Sequence, residues 1–268
     1  MIRTASITGD KVMRKFLLAV IILAVLIVPV KAEALSQNKT GIIGAMDVEV
    51  ALLKEAASIT RKEIIADMEF CEGTLGNSEI VIVKCGVGKV NAGICAQLLI
   101  THFGVSEIIN TGIAGSLNPE LNIGDVVIAL DCVQHDYDVT PINFARGEIP
   151  YTGKFAFESD SKLRQKALHA AKKAAPDRNI VEGRICTGDQ FISTKAQKDL
   201  ITNNFGGYCC DMESGAIAQV CYLNQIPFVI VRAVSDKANS QATIDFQEFT
   251  EVTARLSAQI VKLMLEGR

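Results

Sequence analysis

The chain has 268 residues, of which 49% are hydrophobic and 21% are charged, and its formal net charge is −3. A length and composition of this kind suit one large globular domain, or at most two. The mature part of the chain has no run of five basic residues. It therefore gives no support for a nucleic-acid partner, and a small uncharged or cationic ligand fits better.

The first 32 residues have the layout of a secretory signal peptide. Arg14 and Lys15 precede the apolar run FLLAVIILAVLIVPV at 16–30, and Val30-Lys31-Ala32 supplies small residues at a cleavage site. The fifteen residues of the run are fewer than the roughly 20 that a spanning helix needs, which disfavours an uncleaved anchor. Cleavage would export the protein without a stable membrane anchor and would change its formal net charge to −7, because five basic residues and one acid are removed.

A short linker at residues 33–40 precedes a single predicted domain at 41–268, in which apolar runs alternate with helical patterns. The predicted strands lie at 41–46, 68–75, 79–86, 107–112, 125–133, 181–189, 208–212 and 227–235. The predicted helices lie at 47–57, 89–103, 159–174, 194–204, 213–224 and 246–266. Continuously apolar strands are typical of sheets covered by helices on both faces, so the pattern predicts an α/β fold. The segment 138–155 lacks periodicity and predicts a long loop.

The eight cysteines raise the question of disulfides or a metal site. Their even number permits disulfides in an exported protein, yet most lie in apolar runs, where cysteine behaves as a small hydrophobe. Cys209 and Cys210 would point to opposite faces of an extended strand, and the chain has no CxxC pair. We therefore expect mostly buried free thiols, no metal site and no cofactor.

Carboxylates follow three of the predicted strands. Glu49 follows the first strand, Glu213 lies where YCCDM passes into the helix MESGAIAQVCYL, and Asp236 follows the apolar strand of VIVRAVSDKAN. Taken alone, Glu213 or the pair Ser235-Asp236 could simply cap a helix N-terminus. Because ligands bind at the carboxyl ends of strands in α/β sheets, the three acids together predict one polar site. NTGIAG lacks the spacing of a phosphate-binding loop and is interpreted as a glycine-rich turn near a ligand.

Six motifs occur in the order and spacing of a known family: GIIGAMDVEVALL, NTGIAGSL, HDYDVT, TGDQFI, DMESGAIAQVC and VRAVSDKAN. From about Gly41 to near its C-terminus, the chain resembles the 5′-methylthioadenosine/S-adenosylhomocysteine nucleosidases of the nucleoside phosphorylase/hydrolase superfamily. The leader departs from this resemblance, because the familiar members are cytoplasmic. The resemblance implies a three-layer α/β/α domain around a twisted mixed central sheet, nucleoside phosphorylase-like, usually in a homodimer.

The resemblance also implies hydrolysis of the bond between adenine and a 5′-thio-substituted ribose, without a cofactor. Glu49 falls on the base that activates water, Asp236 on the acid that protonates adenine N7, and Glu213 on the carboxylate that binds the ribose hydroxyls. These types suit the chemistry, because an acid neutralises the leaving adenine while a base on the other side activates water. Ser235, beside Asp236, could orient its carboxyl group.

The other substrate-binding positions implied by the resemblance are mostly apolar. Phe191 matches the ring that stacks on adenine, and the backbone of Ile192 would read the adenine edge. Met212 would lie beneath the sugar, and Phe246 would line the slot for the 5′-alkylthio group. Ala114 and Gly115 line the same pocket. Ile142 or Phe144, in the loop that contains HDYDVT, would complete the slot of a neighbouring subunit.

Two other functions remain open at this point. A purine nucleoside phosphorylase would need cationic or hydroxyl donors for phosphate. The turn GAMDVEV has no arginine, and Ile113 stands where phosphorylase relatives tend to carry a hydroxyl residue. An exported nucleoside-binding or adhesion protein without catalysis is the other alternative, and the intact acids argue against it. The sequence does not rank methylthioadenosine, S-adenosylhomocysteine and 5′-deoxyadenosine as substrates.

The signal-peptide prediction can be tested on protein from the native host. We expect N-terminal sequencing to begin at Glu33 or within about three residues of it, since Ala32-Glu33-Ala34 is an equally good cleavage site. A mature chain that begins at Met1, or at the alternative start Met13, would contradict export.

Overall fold

The computed structural model describes residues 39–267, which contain ten strands and six α-helices. The strands are β1 (Lys39–Gly44), β2 (Ser58–Ile65), β3 (Met68–Leu75), β4 (Ser78–Lys84), β5 (Glu107–Ser116), β6 (Val126–Gln134), β7 (Phe157–Glu158), β8 (Ile180–Thr187), β9 (Cys209–Asp211) and β10 (Phe228–Asp236). The helices are α1 (Asp47–Ala56), α2 (Lys89–Thr101), α3 (Ser161–Ala174), α4 (Lys195–Phe205), α5 (Ser214–Asn224) and α6 (Ala242–Glu266). The predicted signal peptide lies outside the described residues.

The strands form one mixed sheet in the order β10-β6-β8-β9-β5-β1-β4-β3-β2, and β7 pairs with β6. Strand β10 also pairs with β5, so β5, β10, β6, β8 and β9 close into a ring. Strands β1, β4, β3 and β2 extend from β5 as an open sheet. Parallel pairs, such as β1 with β4 and β5, coexist with antiparallel pairs, such as β5 with β9. The predicted mixed sheet is confirmed. The sequence did not predict that five of its strands close into a ring.

Helices cover both faces of the sheet, which gives the predicted three layers. Neighbouring residues of one strand enter different cores: Ile43 packs with the core that contains Cys95 of α2 and Ile217 of α5. Ile42 packs with the core that contains Leu53 of α1 and residues of α3 and α6. Because side chains alternate between the faces of a strand, these two cores lie on opposite sides of the sheet. The α/β class is therefore confirmed.

The main differences from the sequence prediction are two additional strands and two strands with shifted ends. Strand β2 was not predicted, because its centre is the charged run Arg61-Lys62-Glu63. Charged residues are common on edge strands, and β2 is the edge of this sheet. The two-residue strand β7 was not predicted either. Strand β1 begins at Lys39, inside the predicted linker 33–40. The fourth difference is β5, which continues through NTGIAGS to Ser116, so the predicted glycine-rich turn is wrong.

All eight cysteines are buried and have free thiols. Cys209 belongs to the core under α2 and α5, whereas Cys210 packs with Phe205 and Ile192 in a third, smaller core. The two neighbours therefore point to opposite sides of β9, as the sequence predicts for an extended segment. Their burial confirms that the cysteines are core residues.

The segment predicted as a long loop, 138–155, contains one 3-10 turn, Thr140–Ile142, and an isolated bridge between Ile149 and Lys154. The rest of the segment has no regular structure, so this prediction is confirmed in outline. No helix within residues 39–267 combines the length and the apolar character that crossing a membrane requires.

Candidate active site

A cleft with a volume of about 210 Å³ opens where β5, β9 and β10 meet the N-termini of α1 and α5. All ten site residues predicted from the sequence line it: Glu49, Ala114, Gly115, Phe191, Ile192, Met212, Glu213, Ser235, Asp236 and Phe246. The cleft also includes a fourth acid, Asp211, and no lysine, arginine or histidine among the residues of 39–267 that line it. The carboxylates that are distant in sequence therefore converge on one cavity.

Glu49 lies in the first turn of α1 and is 3% exposed. Its Oε2 accepts hydrogen bonds from the backbone N–H groups of Ala45 (2.6 Å) and Met46 (2.9 Å), and its Oε1 accepts one from Ile113 (3.1 Å). Burial raises the pKa of the Glu49 carboxyl, while the charge of Arg232 and the three N–H donors oppose that shift. The result is a fixed carboxylate with raised basicity, which suits a general base.

Glu213 occupies the N-cap position of α5, but its side chain makes no capping hydrogen bond. Instead, its Oε1 accepts a hydrogen bond of 2.9 Å from the backbone N–H of Gly88. Burial, reinforced by the neighbouring charge of Asp211, raises the pKa of Glu213 to about 7, against the lowering effect of Arg232. The alternative that Glu213 merely caps a helix is therefore wrong, and its carboxylate faces the cleft.

Asp236 ends β10 and is 3% exposed. The Ser235 hydroxyl donates to its Oδ2 (2.8 Å) and the backbone N–H of Ala238 donates to its Oδ1 (2.8 Å). Burial raises the pKa of Asp236 and these two donors lower it. The pairing of β10 with β5 is irregular between Val234 and Asp236, and such bulges turn side chains toward a site. Ser235 thus orients the Asp236 carboxyl group, as the sequence predicts.

Sequence reasoning missed Arg232, which is 2% exposed and lies beneath the acids. Its guanidinium donates to Asp211 through Nε (2.9 Å) and also bonds Asn110 and the hydroxyl of Ser214. Asp211 in turn accepts a hydrogen bond of 2.6 Å from Thr187. An arginine inside the apolar strand sequence PFVIVRAVS was the available signal, because buried charges need partners.

Two glycines of β5 leave space for the catalytic carboxylates. A Cβ atom on Gly112 would lie 2.6 Å from Oε1 of Glu49, and one on Gly115 would lie 2.8 Å from Oδ1 of Asp236. Any larger residue at either position would displace a carboxylate, since real Cβ contacts are not that short. This explains why the glycines of NTGIAG occur inside a strand: they admit side chains from α1 and β10.

The apolar side of the cleft is formed by two aromatic rings. Phe191 and Phe246 meet edge to face with ring centroids 5.5 Å apart, and Phe191 remains 44% exposed. Ile192 is buried beside them. An exposed ring at the mouth of a cleft can stack on a flat aromatic ligand.

Ile142 and Phe144 do not line the cleft of their own chain. Ile142 is 60% exposed, and Phe144 packs against Tyr151, with ring centroids 6.0 Å apart. Their assignment to the slot of a neighbouring subunit stays a prediction. Within the described part of the chain, no group of three or more His, Cys, Asp or Glu side chains is arranged to hold a metal ion.

Comparison with known proteins decides the family. A family model described as the phosphorylase superfamily matches residues 39–266. The 5′-methylthioadenosine/S-adenosylhomocysteine nucleosidase of Halalkalibacterium halodurans is 41% identical over 233 residues, which cover 86% of this chain and 99% of that protein. The chain belongs to the family of 5′-methylthioadenosine/S-adenosylhomocysteine nucleosidases.

Solved structures agree with this nucleosidase family. The Neisseria meningitidis nucleosidase, in complex with methylthio-immucillin-A, has a TM-score of 0.83 and 35% identity, with 86% of this chain and 100% of that chain covered. The futalosine hydrolase of Helicobacter pylori strain 26695 has a TM-score of 0.82 and 30% identity, with 87% of this chain and 99% of that chain covered. The predicted nucleoside phosphorylase-like fold is confirmed.

The raised pKa of Glu213 predicts a pH-dependent effect on stability. Ionising Glu213 costs more in the folded chain than in the unfolded chain, so the stability it contributes below pH 4.5 is lost as the pH rises through about 7. Glu213→Gln should therefore raise the free energy of unfolding by about 3 kcal/mol at pH 8.5 but by less than about 1 kcal/mol at pH 5.

Urea denaturation of both proteins at the two pH values measures this difference. Glu55→Gln is the matched control, because Glu55 is exposed on α1, and we expect no effect at either pH. Equal stabilisation by Glu213→Gln at pH 5 and pH 8.5 would contradict a raised pKa.

Proposed function

We propose that this protein is an N-glycosyl hydrolase that cleaves 5′-methylthioadenosine and S-adenosylhomocysteine and releases adenine. The observation that carries the proposal is the convergence of Glu49, Glu213 and Asp236 on one cleft bordered by aromatic rings. The nucleosidase relatives share more sequence with this chain than the futalosine hydrolase does, which favours 5′-thioadenosine substrates. The cleft offers an acid, a base and an apolar face to one ligand.

Asp236 would supply the proton to adenine N7. The leaving adenine gains negative charge as the glycosidic bond breaks, and protonation at N7 neutralises that charge. Burial raises the pKa of Asp236, so its carboxyl group holds a proton closer to neutral pH than an exposed aspartate does. The donors Ser235 and Ala238 fix the direction of the carboxyl group.

Glu49 would take the proton from the attacking water. Its carboxylate is held by three backbone N–H groups, which fix its position without supplying a proton that would neutralise it. Glu213 would bind the ribose hydroxyls while positive charge develops on the sugar. The positive charge develops at the ribose carbon whose bond to adenine breaks. A buried negative charge near this carbon stabilises the transition state more than the neutral substrate. Glu49 thus acts on the attacking water and Glu213 on the ribose, whereas Asp236 acts on the leaving adenine.

Water, and not phosphate, fits the electrostatics of the cleft. The acids Glu49, Asp211, Glu213 and Asp236 line it, and the buried Arg232 already donates to Asp211, Asn110 and Ser214. A phosphate dianion about 4 Å from one carboxylate would meet repulsion of roughly 4 kcal/mol per charge pair at an effective dielectric of 20. A neutral water meets no such repulsion.

The assembly and the location of the protein belong to the same proposal. Val90 and Ile94 of α2, with Val87 just before the helix, form an exposed apolar patch (72%, 42% and 50% exposed), and Val87 also lines the cleft. Such a patch beside the site supports a homodimer in which Ile142 of each chain reaches the other's cleft. The N-terminal pattern at 1–32 supports export, which would place this nucleosidase in a periplasm or outside the cell.

Removing the acid or the base tests the mechanism. Asp236→Asn keeps the shape of the side chain but cannot deliver a proton, so kcat for methylthioadenosine should fall by roughly 10²-fold or more. Glu49→Gln should reduce kcat at least as far, because water then lacks a base. The measurement is adenine release by the purified protein.

Asp199→Asn and Glu55→Gln are the matched controls, because Glu55 is exposed, the Asp199 side chain is half-exposed, and neither residue lines the cleft. A folded Asp236→Asn protein with near-normal turnover would overturn the assigned role of Asp236. A wild-type protein that releases no adenine would instead support the nucleoside-binding alternative.

The dependence on phosphate separates hydrolysis from phosphorolysis. We expect the rate to be the same in phosphate-free buffer and in buffer that contains phosphate, since the acidic cleft disfavours the dianion. Mass spectrometry should identify the sugar product as free 5-methylthioribose. A rate proportional to phosphate, with a 1-phosphate ester as product, would make this protein a phosphorylase.

A further inference from the structure

Two consecutive backbone N–H groups at the start of α2 bind carboxylates from different parts of the cleft. The N–H of Gly88 donates to Glu213 (2.9 Å), and the N–H of Lys89 donates to Oδ1 of Asp189 (2.8 Å). Asp189 belongs to the loop that carries Phe191, two residues further along. The N-terminus of α2 thus contacts both the acid proposed for the ribose and the loop proposed for adenine.

The contact between α2 and this loop is closed into a ring of three residues. The N–H of Asp189 donates to Oδ2 of Asp136 (2.9 Å), and the Lys89 ammonium donates to Oδ1 of the same carboxylate (2.6 Å). Lys89 and Asp136 are largely buried, with side chains 18% and 17% exposed. We name Lys89, Asp136 and Asp189 the clamp. A cyclic set of charge-assisted hydrogen bonds restricts movement of the loop relative to α2.

Two glycines permit this approach of the chains. Gly88 has a φ of +99°, which disfavours other residues, and a Cβ there would lie 3.2 Å from Oδ1 of Asp189. A Cβ on Gly188 would lie 2.5 Å from the His135 ring and 3.1 Å from Cγ of Asp136. The Phe191 loop therefore packs directly against α2 and against the residues that follow β6. The clamp depends on this close packing.

We propose that Asp189 is a positioning residue: it fixes the Phe191 loop and the Gly88 amide relative to each other, so that adenine stacking and the Glu213 carboxylate are aligned for one ligand. The inference rests on the proposed nucleosidase function. Asp189 acts through Phe191 and Glu213 and is not assigned a contact with substrate.

Loss of the clamp should change the titration of Glu213. Its surroundings are Asp211 of β9, Glu49 of α1 and Arg232 of β10, together with the Gly88 amide, which lowers its pKa. If α2 and the loop separate, the Gly88 hydrogen bond weakens and the pKa of Glu213 rises further. Activity that needs ionised Glu213 should then be lost at a higher pH than in the wild type.

The test compares Asp189→Ala with Asp189→Asn, which keeps an acceptor oxygen, and with the control Asp199→Ala, whose side chain is half-exposed and lies outside the clamp. For Asp189→Ala we expect KM for methylthioadenosine to rise about fivefold, as for loss of one hydrogen bond of about 1 kcal/mol. Its acid limb of kcat/KM should move to higher pH, with kcat on the plateau little changed. Asp189→Asn should recover part of both effects, and Asp199→Ala should show neither.

A second readout does not depend on catalysis. The chain has no tryptophan, so Phe191→Trp introduces a single tryptophan, whose fluorescence can be excited selectively, into the loop. Adding Asp189→Ala to Phe191→Trp should increase quenching of the tryptophan by acrylamide, whereas adding Asp199→Ala should not. If Asp189→Ala fails to fold by circular dichroism, Asp189→Asn is compared in the same way, and a smaller change in the same direction is expected.

The outcomes separate this inference from the proposed function. A folded Asp189→Ala protein with unchanged KM, pH profile and quenching would overturn the positioning role. A wild-type protein inactive on methylthioadenosine would overturn the proposed function, and the quenching comparison would still decide whether Asp189 holds the loop. Lower kcat with unchanged KM and an unchanged acid limb would also count against the role of Asp189.

Discussion

The buried guanidinium of Arg232 is the interaction on which the rest of the site depends. Four acids converge on one cleft, and several ionised carboxylates at short range in a medium of low dielectric would repel one another. Arg232 bonds directly to Asp211, and its charge lowers the pKa values of Glu49 and Glu213. It therefore allows a cluster of acids to exist inside a folded chain, and the fold in turn hides Arg232 from any ligand.

Hydrogen bonding gives the three buried acids different roles. Burial raises the pKa values of Glu49, Glu213 and Asp236 alike, but each carboxylate has a different set of donors. Glu49 has three backbone N–H groups, Glu213 has one, and Asp236 has a hydroxyl and one N–H. Differences in hydrogen bonding around similar groups are how one fold separates an acid from a base.

The positions of the acids in the cleft depend on the ring of strands β5, β10, β6, β8 and β9. Strand β5 pairs with both β10 and β9, so Gly115 of β5 lies opposite both Asp236 and Cys210. The glycines of β5 then admit the carboxylates of Glu49 and Asp236 between strands. The clamp adds a further connection, because it joins the loop after β8 to the start of α2.

The sequence by itself determined the α/β class, most element positions and the lining of the cleft. The class and the element positions follow from local periodicity, whereas the lining of the cleft was implied by the family resemblance that motifs such as DMESGAIAQVC and VRAVSDKAN carry. The sequence did not reveal β2, the extension of β5 or the role of Arg232. A charged edge strand resembles a loop, glycines resemble a turn, and an arginine in an apolar strand signals a buried charge without showing its partners. The tertiary structure alone decided which partners Arg232, Glu213 and Asp189 have. Those contacts join residues from 18 to 125 positions apart, and only packing of the whole chain brings them together.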